Sequence, residues 1–248
     1  MSARLQSRSG RGADPDGLLL VDKPAGPTSH DIVDAVRRLF HFRKVGHGGT
    51  LDPGATGLLV LLIGRATKVS QVVMAADKEY EGSMLLGVTT DTHDADGAVV
   101  RRRDPSSITR ERLAEEFRKW TGDIEQVPPM VSAVKKEGVA LYKLARHGES
   151  VEREPRVLHI YEFALLEFHP PLARFRVRCS KGTYVRTLCH DVGEALGCGA
   201  CLNTLRRTRS GPLDVAEAVP FESLVDLSPE QLAPLIRPLS SISLRAAP

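Results

Sequence analysis

The run KVGHGGTLDPGATGLLVLL, residues 44–62, places five glycines around a single acid, Asp52, and then turns to pure hydrocarbon. Glycine brings no side chain to pack and gives up the most backbone freedom on folding. Such a cluster implies unusual dihedrals, or a main chain that another molecule approaches closely. Residues 58–63, LLVLLI, read as a buried strand. Asp52 is therefore expected on a shaped loop feeding into the core, where a charge without a task is costly.

Outward from this run, GLLLV at 17–21 is a short strand, broken by DKPAGPTS. Thr28 or Ser29 caps a helix over 31–40 whose Ile32, Val33, Val36, Leu39 and Phe40 share one face. Residues 79–86, EYEGSMLL, have strand character, and GVTTDTHDADG after them reads as a polar loop. Thr109 caps a helix with Leu113, Phe117 and Trp120 in line, ended by Gly122. The Pro-punctuated segment at 125–138 cannot be regular helix. Residues 158–168 and 174–179 are two strands joined at Pro170 and Pro171. The second alternates, with Phe175, Val177 and Cys179 inward and Arg174, Arg176 and Arg178 outward. SKGT opens a helix over 184–196, 200–205 is a further strand, and SPEQ at 228–231 is a capping box with proline at the first helical position. Hairpin-like strand pairs mixed with isolated helices favour an α+β fold around one large, mainly antiparallel sheet.

The 248 residues, 42% apolar and 26% charged, suit one large domain. Residues 1–16, rich in Ser, Gly and Arg without an apolar period, read as a disordered basic arm. The longest apolar run, 58–63, is far short of the ~20 residues of a membrane helix, and no secretory signal is visible. Four cysteines, Cys179, Cys189, Cys198 and Cys201, are too few and too clustered for a secreted disulfide framework, so the expected compartment is the reducing cytoplasm. The net charge of +3 is uneven, because residues 174–211 carry eight basic side chains against two acids. A local basic field on a near-neutral chain suggests a polyanionic partner. A solvated face with its counter-charges elsewhere is the plainer alternative.

Several common sites fail on spacing. GTLDPGAT has the glycine spacing of a P-loop, but Ala55 stands where the phosphate-binding lysine belongs. GHGGTL fails the dinucleotide fingerprint at Leu51. Cys198 and Cys201 lack a second ligand pair at zinc-finger spacing. Asp52 remains. A lone ionised carboxylate in a dry pocket can stabilise or trap cationic character at a sugar anomeric carbon. A nearby arginine would keep it ionised by lowering its pKa, and Arg186, near the start of the helix after SKGT, is the candidate. On residue type alone, Asp52 reads equally as a turn acid before Pro53, and Arg186 as a surface helix arginine.

KVGHGGTLDPGATGLL resembles the central motif of the bacterial tRNA pseudouridine-55 synthases. Five further blocks are similar in the same order: VDKPAGPTS at 21–29, DKEYEGSMLLGVTTDTHDADG at 77–97, QVPPMVSAVKKEGVALYKLARHG at 126–148, CSKGTYVRTLCHDVGEALG at 179–197 and LRRTRSG at 205–211. The resemblance implies a pseudouridine synthase catalytic fold over 17–248, closed by a C-terminal helical segment, without a full C-terminal RNA-binding domain of the PUA type. It implies Asp52 as catalytic nucleophile, Arg186 as its partner, Tyr80 stacked on the target base, and Lys23 and Pro24 supporting the catalytic loop. It further implies that His47 fills the space left by a flipped nucleotide, and that Tyr184 and Leu205 line the uridine pocket. With the basic window, Lys181, Arg206, Arg207 and Arg209 are expected on phosphates, which sets position and not sequence. The implied substrate is the T-arm stem-loop of tRNA, acted on by a monomer without metal or organic cofactor. The chain departs from many members in having glycine at 48 and 54, which implies a more mobile loop. A non-catalytic RNA-binding or tRNA-folding module on the same scaffold is the competing reading.

Overall fold

The computed structural model describes residues 14–129, 135–136, 139–140 and 151–241. Most of the expected basic arm at 1–16 and most of the block at 126–148 lie outside the described residues. The hydrocarbon run forms β3 (Thr56–Ile63), in which every residue after Thr56 is buried. On one edge it pairs along its length with antiparallel β1 (Gly17–Lys23). Between them runs α1 (Ser29–Leu39), started by a full capping box of Thr28 and Asp31. The other edge of β3 carries β2 (Val45–His47) at its end and, in parallel, β12 (Ala200–Ser210) at its beginning. This parallel contact is close: a Cβ on Gly57, which has φ +96°, would lie 2.3 Å from the Arg207 carbonyl oxygen. Only glycine takes that dihedral without strain.

After β3, α2 (Ser70–Ala75) leads into β4 (Lys78–Leu86), and β5 (Val88–Thr90) pairs with β6 (Val99–Arg102) as a small ribbon. Then come α3 (Arg110–Lys119), β7 (Gly122–Gln126) and the two-residue pair β8 (Lys135–Lys136) and β9 (Val139–Ala140). The long hairpin of β10 (Arg156–His169) and β11 (Leu172–Cys179) turns at Pro170 and Pro171, whose peptide bond is cis. Helix α4 (Val185–Leu196) precedes β12, and β13 (Leu213–Asp214), β14 (Val219–Pro220) and α5 (Pro229–Leu232) close the described chain.

Among the described residues, ten strands form one mixed, mainly antiparallel sheet with a main path β14-β1-β3-β12-β4-β11-β10-β7. Helices α3 and α4 cover one part of it, over a core of Met84, Phe117, Phe175, Val177, Leu188 and Val192. Helix α1 and the C-terminal turns cover β1 and β3 through Leu19, Val21, Ile32, Leu59, Leu61 and Leu224. The alternate residues Leu18, Leu20, Leu58, Val60 and Leu62 pack against Ala66, Val73 and Leu213. The α+β expectation and the inward set of β11 hold. Three local details differ. Gly122, at φ +97°, opens β7 instead of ending α3, whose C-cap is Trp120. GVTTDTHDADG starts as strand β5. Residues 206–210 continue β12, because they pair with β4 down to Ser210 opposite Lys78.

Gly193 in α4 faces β12 so closely that a Cβ there would lie 2.1 Å from the Ala200 amide nitrogen. Helix propensity alone would make Gly193→Ala stabilising by about 1 kcal/mol. Overpacking against main chain should reverse the sign and cost about 1–3 kcal/mol. The midpoint of urea unfolding decides between the two, and a higher midpoint for Gly193→Ala would contradict the packing described.

Candidate active site

Asp52 lies on a turn, residues 52–55, closed by the Ala55 amide donating to the Asp52 carbonyl at 3.1 Å. The turn is held from three sides. Lys23, 0% exposed at the end of β1, donates from Nζ to the carbonyls of Pro24 (2.8 Å), Pro53 (3.1 Å) and Ala55 (2.7 Å). Ser29, at the start of α1, binds Leu51 reciprocally: its Oγ donates to the Leu51 carbonyl at 3.0 Å and accepts from the Leu51 amide at 2.8 Å. Arg207 in β12 donates to the carbonyls of Leu58 (2.7 Å), Thr50 (3.2 Å) and Gly49 (3.2 Å). The Gly26 amide completes the cradle on the Pro53 carbonyl at 2.9 Å. The expectation of a mobile loop meets a packing reason for one of its glycines: a Cβ on Gly48 would lie 2.3 Å from Val73 Cγ1. At Gly54 the nearest atom to such a Cβ is Asp96 Oδ2, at 2.9 Å.

Half of the Asp52 side chain is exposed, and beneath it lies Arg186, only 5% exposed in the first turn of α4. Arg186 Nη1 is 3.6 Å from Asp52 Oδ2 and 3.3 Å from Asp94 Oδ2, so one guanidinium serves two carboxylates. Asp94 is fixed in turn: Thr90 Oγ1 donates to its carbonyl at 2.7 Å and Thr92 Oγ1 to its Oδ1 at 2.5 Å. Its loop is tied to β12, since Leu202 donates to the His93 carbonyl and accepts from the Ala95 amide. His93 stacks face to face on His190 of α4 at 3.8 Å, and burial pushes its pKa down to about 4.

The sequence reading expected arginine to hold Asp52 below the ordinary carboxylate range. The net direction is the opposite. The protein around the turn excludes enough water to push the carboxyl up, Arg186 pulls it down, Asp94 pushes it up again and Lys23 pulls it down. Desolvation is the larger opposition to Arg186, and the charge of Asp94, which shares that guanidinium, adds to it.

Tyr80 in β4 stands opposite Arg207 of β12 and Val177 of β11, and packs with Leu205 between two parts of the core. Burial raises its phenol above the usual range, while the charge of Arg207 acts downward. His47 in β2 accepts from the Gly49 amide at Nδ1 (3.4 Å), and burial lowers its pKa, so the ring is neutral at pH 7 with its proton on Nε2. Tyr184 caps α4 and lies beside Arg186, whose Cζ is 6.0 Å from the ring centroid. Its backbone is gripped by the buried Gln126, which accepts from the Tyr184 amide at 2.8 Å and donates to its carbonyl at 3.1 Å. The structure therefore brings Asp52, Arg186, Tyr80, Lys23, Pro24, His47, Tyr184 and Leu205 around one loop. Sequence reasoning missed Asp94, Gln126 and the Ser29 bridge. Asp94 had a signal, as one of three acids in the polar loop of a quoted block; Gln126 had none.

Arg207 corrects an expectation. Read from sequence as a phosphate ligand, it is 2% exposed and faces the interior. The reason is a bulge between Leu202 and Thr204, which shifts the alternation so that Leu205 and Arg207 share the inner face with Tyr80. Arg206 faces the other way in a two-bond pair with Asp22, at 2.9 and 2.6 Å. Arg209 lies 3.6 Å from Asp214, and Lys181 is exposed. Arg174 and Arg176 pair with Glu167 and Glu162, and Arg178 stacks over Tyr161 at 4.8 Å. Much of the basic window is thus internally compensated. Among the described residues, no group of three or more His, Cys, Asp or Glu is placed to hold a metal ion, and no helix is long and apolar enough to cross a membrane.

The chain matches the family model described as TruB family pseudouridylate synthase (N terminal domain) over residues 37–185. It matches a second, tRNA pseudouridylate synthase B C-terminal domain, over 186–242. The two meet inside α4, and β12 of the second segment is an inner strand of the sheet, so both share one core. It is 52% identical over 221 residues to tRNA pseudouridine synthase B of Syntrophotalea carbinolica, covering 89% of this chain and 72% of that protein. With the protein of the same name from Stutzerimonas stutzeri the identity is 50% over 232 residues, covering 92% and 76%. Among solved structures it resembles a chain of a Cbf5-Nop10-Gar1 complex, with TM-score 0.71 and 32% identity over 90% of this chain and 60% of that one. A chain of an H/ACA RNP bound to a substrate RNA containing 2'-deoxyuridine aligns with TM-score 0.64 and 30% identity, over 85% of this chain and 52% of that one.

The Lys23 clamp makes a signed prediction. Desolvation lowers the Lys23 pKa from 10.5 to about 8. Between those values the unfolded chain holds a proton that the folded chain has lost, so stability should rise with pH in that window. The burial cost is fully present below pH 8 and is relieved toward pH 10.5. The Tm of the wild type minus that of Lys23→Met should therefore increase from pH 7.5 to pH 10 in thermal melts. A constant difference would show an ammonium of ordinary pKa.

Proposed function

This chain belongs to the TruB family of pseudouridylate synthases and is an isomerase of tRNA uridine, and we propose that its target is the uridine at position 55 of the T-loop, with Asp52 as nucleophile. The observation that carries the site reading is the placement of a half-exposed Asp52 over a buried Arg186 guanidinium at 3.6 Å. The carboxylate is half-exposed, so a flipped nucleoside can reach it. Its counter-charge is fixed from below and costs no reorganisation when the glycosidic bond breaks. The uracil then turns and is rejoined through carbon. A base cannot turn within a stack, so extrusion comes first, at a cost of a few kcal/mol. Tyr80 returns about 1–3 kcal/mol of this by stacking. Leu205 and Tyr184 form the walls of the pocket, and neutral His47 fills the gap left in the RNA loop. Lys23 with Pro24 keeps the turn in shape. Lys181, Arg206 and Arg209 are the surface cations offered to phosphate, the latter two by exchanging Asp22 and Asp214 for RNA.

The reading includes a cytoplasmic setting and action as a single chain. In support of the first, Cys179, Cys189, Cys198 and Cys201 are all free and buried. It also takes residues 17–248 as one catalytic unit that recognises the T-arm.

Asp52→Asn keeps the shape of the turn and removes the nucleophile. Turnover of an unmodified tRNA transcript should vanish, with RNA affinity within about tenfold of wild type. Multiple turnover by the pure variant would sink the assignment. If the T-arm supplies most of the recognition, kcat/KM for whole tRNA should exceed that for an isolated T-arm stem-loop by about tenfold or less, or roughly 1.4 kcal/mol. A tritium-release assay on both substrates at one salt concentration measures the ratio. A thousandfold preference for whole tRNA would contradict it.

A further inference from the structure

His93 and His190 form a half-buried pair that the proposed uridine chemistry does not use. Their rings are parallel within 2°, with centroids 3.8 Å apart. Chain geometry sets the pair beside the site. His93 precedes Asp94 in the loop after β5, and His190 follows Arg186 by one turn on the same face of α4. Two adjacent loop side chains therefore meet two helix side chains one turn apart: Asp94 takes Arg186 at 3.3 Å, and His93 lies on His190. The main chain of the loop is tied to β12 through Leu202, while its contact with α4 is made by these side chains. His93 holds φ at +67°, a left-handed conformation that is strained for a residue with a side chain and persists only where the surroundings hold it.

Both Nδ1 atoms are shielded from solvent, and among the described residues neither has a hydrogen-bond partner, so loop and helix meet here through the ring faces. Burial lowers the pKa of both rings, that of His93 to about 4. His190, Arg186 and Arg153 also push His93 down and Asp94 pulls it up, while Glu194 raises His190 and Arg101 lowers it. Both rings are thus neutral at pH 7. They join the loop to the helix without a charge that would compete with Arg186 for Asp94. We propose that the His93–His190 stack is a positioning element of the isomerisation: it fastens the Asp94 loop to α4 and so fixes the Arg186 guanidinium between Asp94 and Asp52. The stack acts through Asp94 and not on the reacting atoms. A counter-charge held in place needs no reorganisation when charge shifts at the glycosidic bond, and a loosened one does. The inference rests on the reading of Asp52 given above.

The test compares single-turnover rates with a saturating tRNA transcript for wild type, His190→Ala, His190→Phe, Asp94→Asn and the double variant of His190→Ala with Asp94→Asn. His190→Ala removes one ring and should slow the reaction by about tenfold, with RNA Kd within about threefold of wild type, so that the loss appears in rate and not in binding. His190→Phe keeps a ring for His93 to stack on and should stay within about threefold of the wild-type rate. Asp94→Asn should be slower by about thirtyfold, and adding His190→Ala to it should cost at most about a further twofold, because both changes disturb one contact. A double variant slowed by the product of the two effects would make the stack a brace of α4 alone and overturn the proposal. A wild-type rate in His190→Ala or in Asp94→Asn would overturn it too, as would a His190→Phe rate as low as that of His190→Ala. If His190→Ala does not fold, His93→Asn takes its place with the same outcomes, since asparagine tolerates the left-handed backbone but carries no ring. Asp52→Asn is run beside these proteins, and turnover by it would instead overturn the reading on which the proposal rests.

Discussion

Two buried cations whose hydrogen bonds go to main-chain carbonyls, not to acids, hold the loop that carries Asp52. Lys23 takes Pro24, Pro53 and Ala55, and Arg207 takes Gly49, Thr50 and Leu58. Lys78, 7% exposed, ties the end of α2 in the same way through the carbonyls of Val73, Met74 and Ala76, with its pKa lowered by burial to about 8. A glycine-rich loop leaves many carbonyls without secondary-structure partners, and each must find a donor when it is buried. A carboxylate in those positions would have neutralised the cations and competed with Asp52. Carbonyls satisfy them while leaving the positive field in place. The loop is thus ordered by charge drawn from two separate strands, and β1 and β12 must both be in register with β3 for it to form.

The parts legible in the sequence are those set by local pattern. The hydrocarbon of β3, the alternation Phe175, Val177 and Cys179, and the caps Thr28, Thr109 and Ser228 each act within a few residues, and each appears where expected. Asp52 and Arg186 were candidates from the residues themselves, the other candidate site residues were implied by resemblance, and the structure sets them around one loop. What stayed hidden depends on distant pairing. The end of β12 reads LRRTRS, which looks like a solvated face until β4 pairs with it. One bulge then decides which arginine of the Arg206 and Arg207 pair is buried, and no local property of the two distinguishes them. Asp94 was concealed for a related reason: its loop is shaped by β12, more than a hundred residues later.

The same pairing changes what the basic window means. Counted along the chain it is a strong positive patch. In the fold, Arg174, Arg176, Arg206 and Arg209 sit beside acids, Arg186 lies between two carboxylates, and Arg207 is inside. Exposed pairs of this kind are worth little to stability, about 0–1 kcal/mol each. They leave a surface that is polar and exchangeable more than simply cationic. An incoming phosphate there replaces an existing partner, which moderates affinity and favours ligands that offer several phosphates in the right geometry.

The position of β12 also bears on biosynthesis. Strand β4 is complete at Leu86, but the strand that lies between it and β3 begins at Ala200. At about 5–20 residues per second, the ribosome needs on the order of ten seconds to supply it. Until then β3 and β4 exist as apolar strands with open edges, the state most exposed to intermolecular pairing. High contact order of this kind makes folding slow and late, so the nascent chain should depend on chaperone protection through that interval more than its modest length suggests.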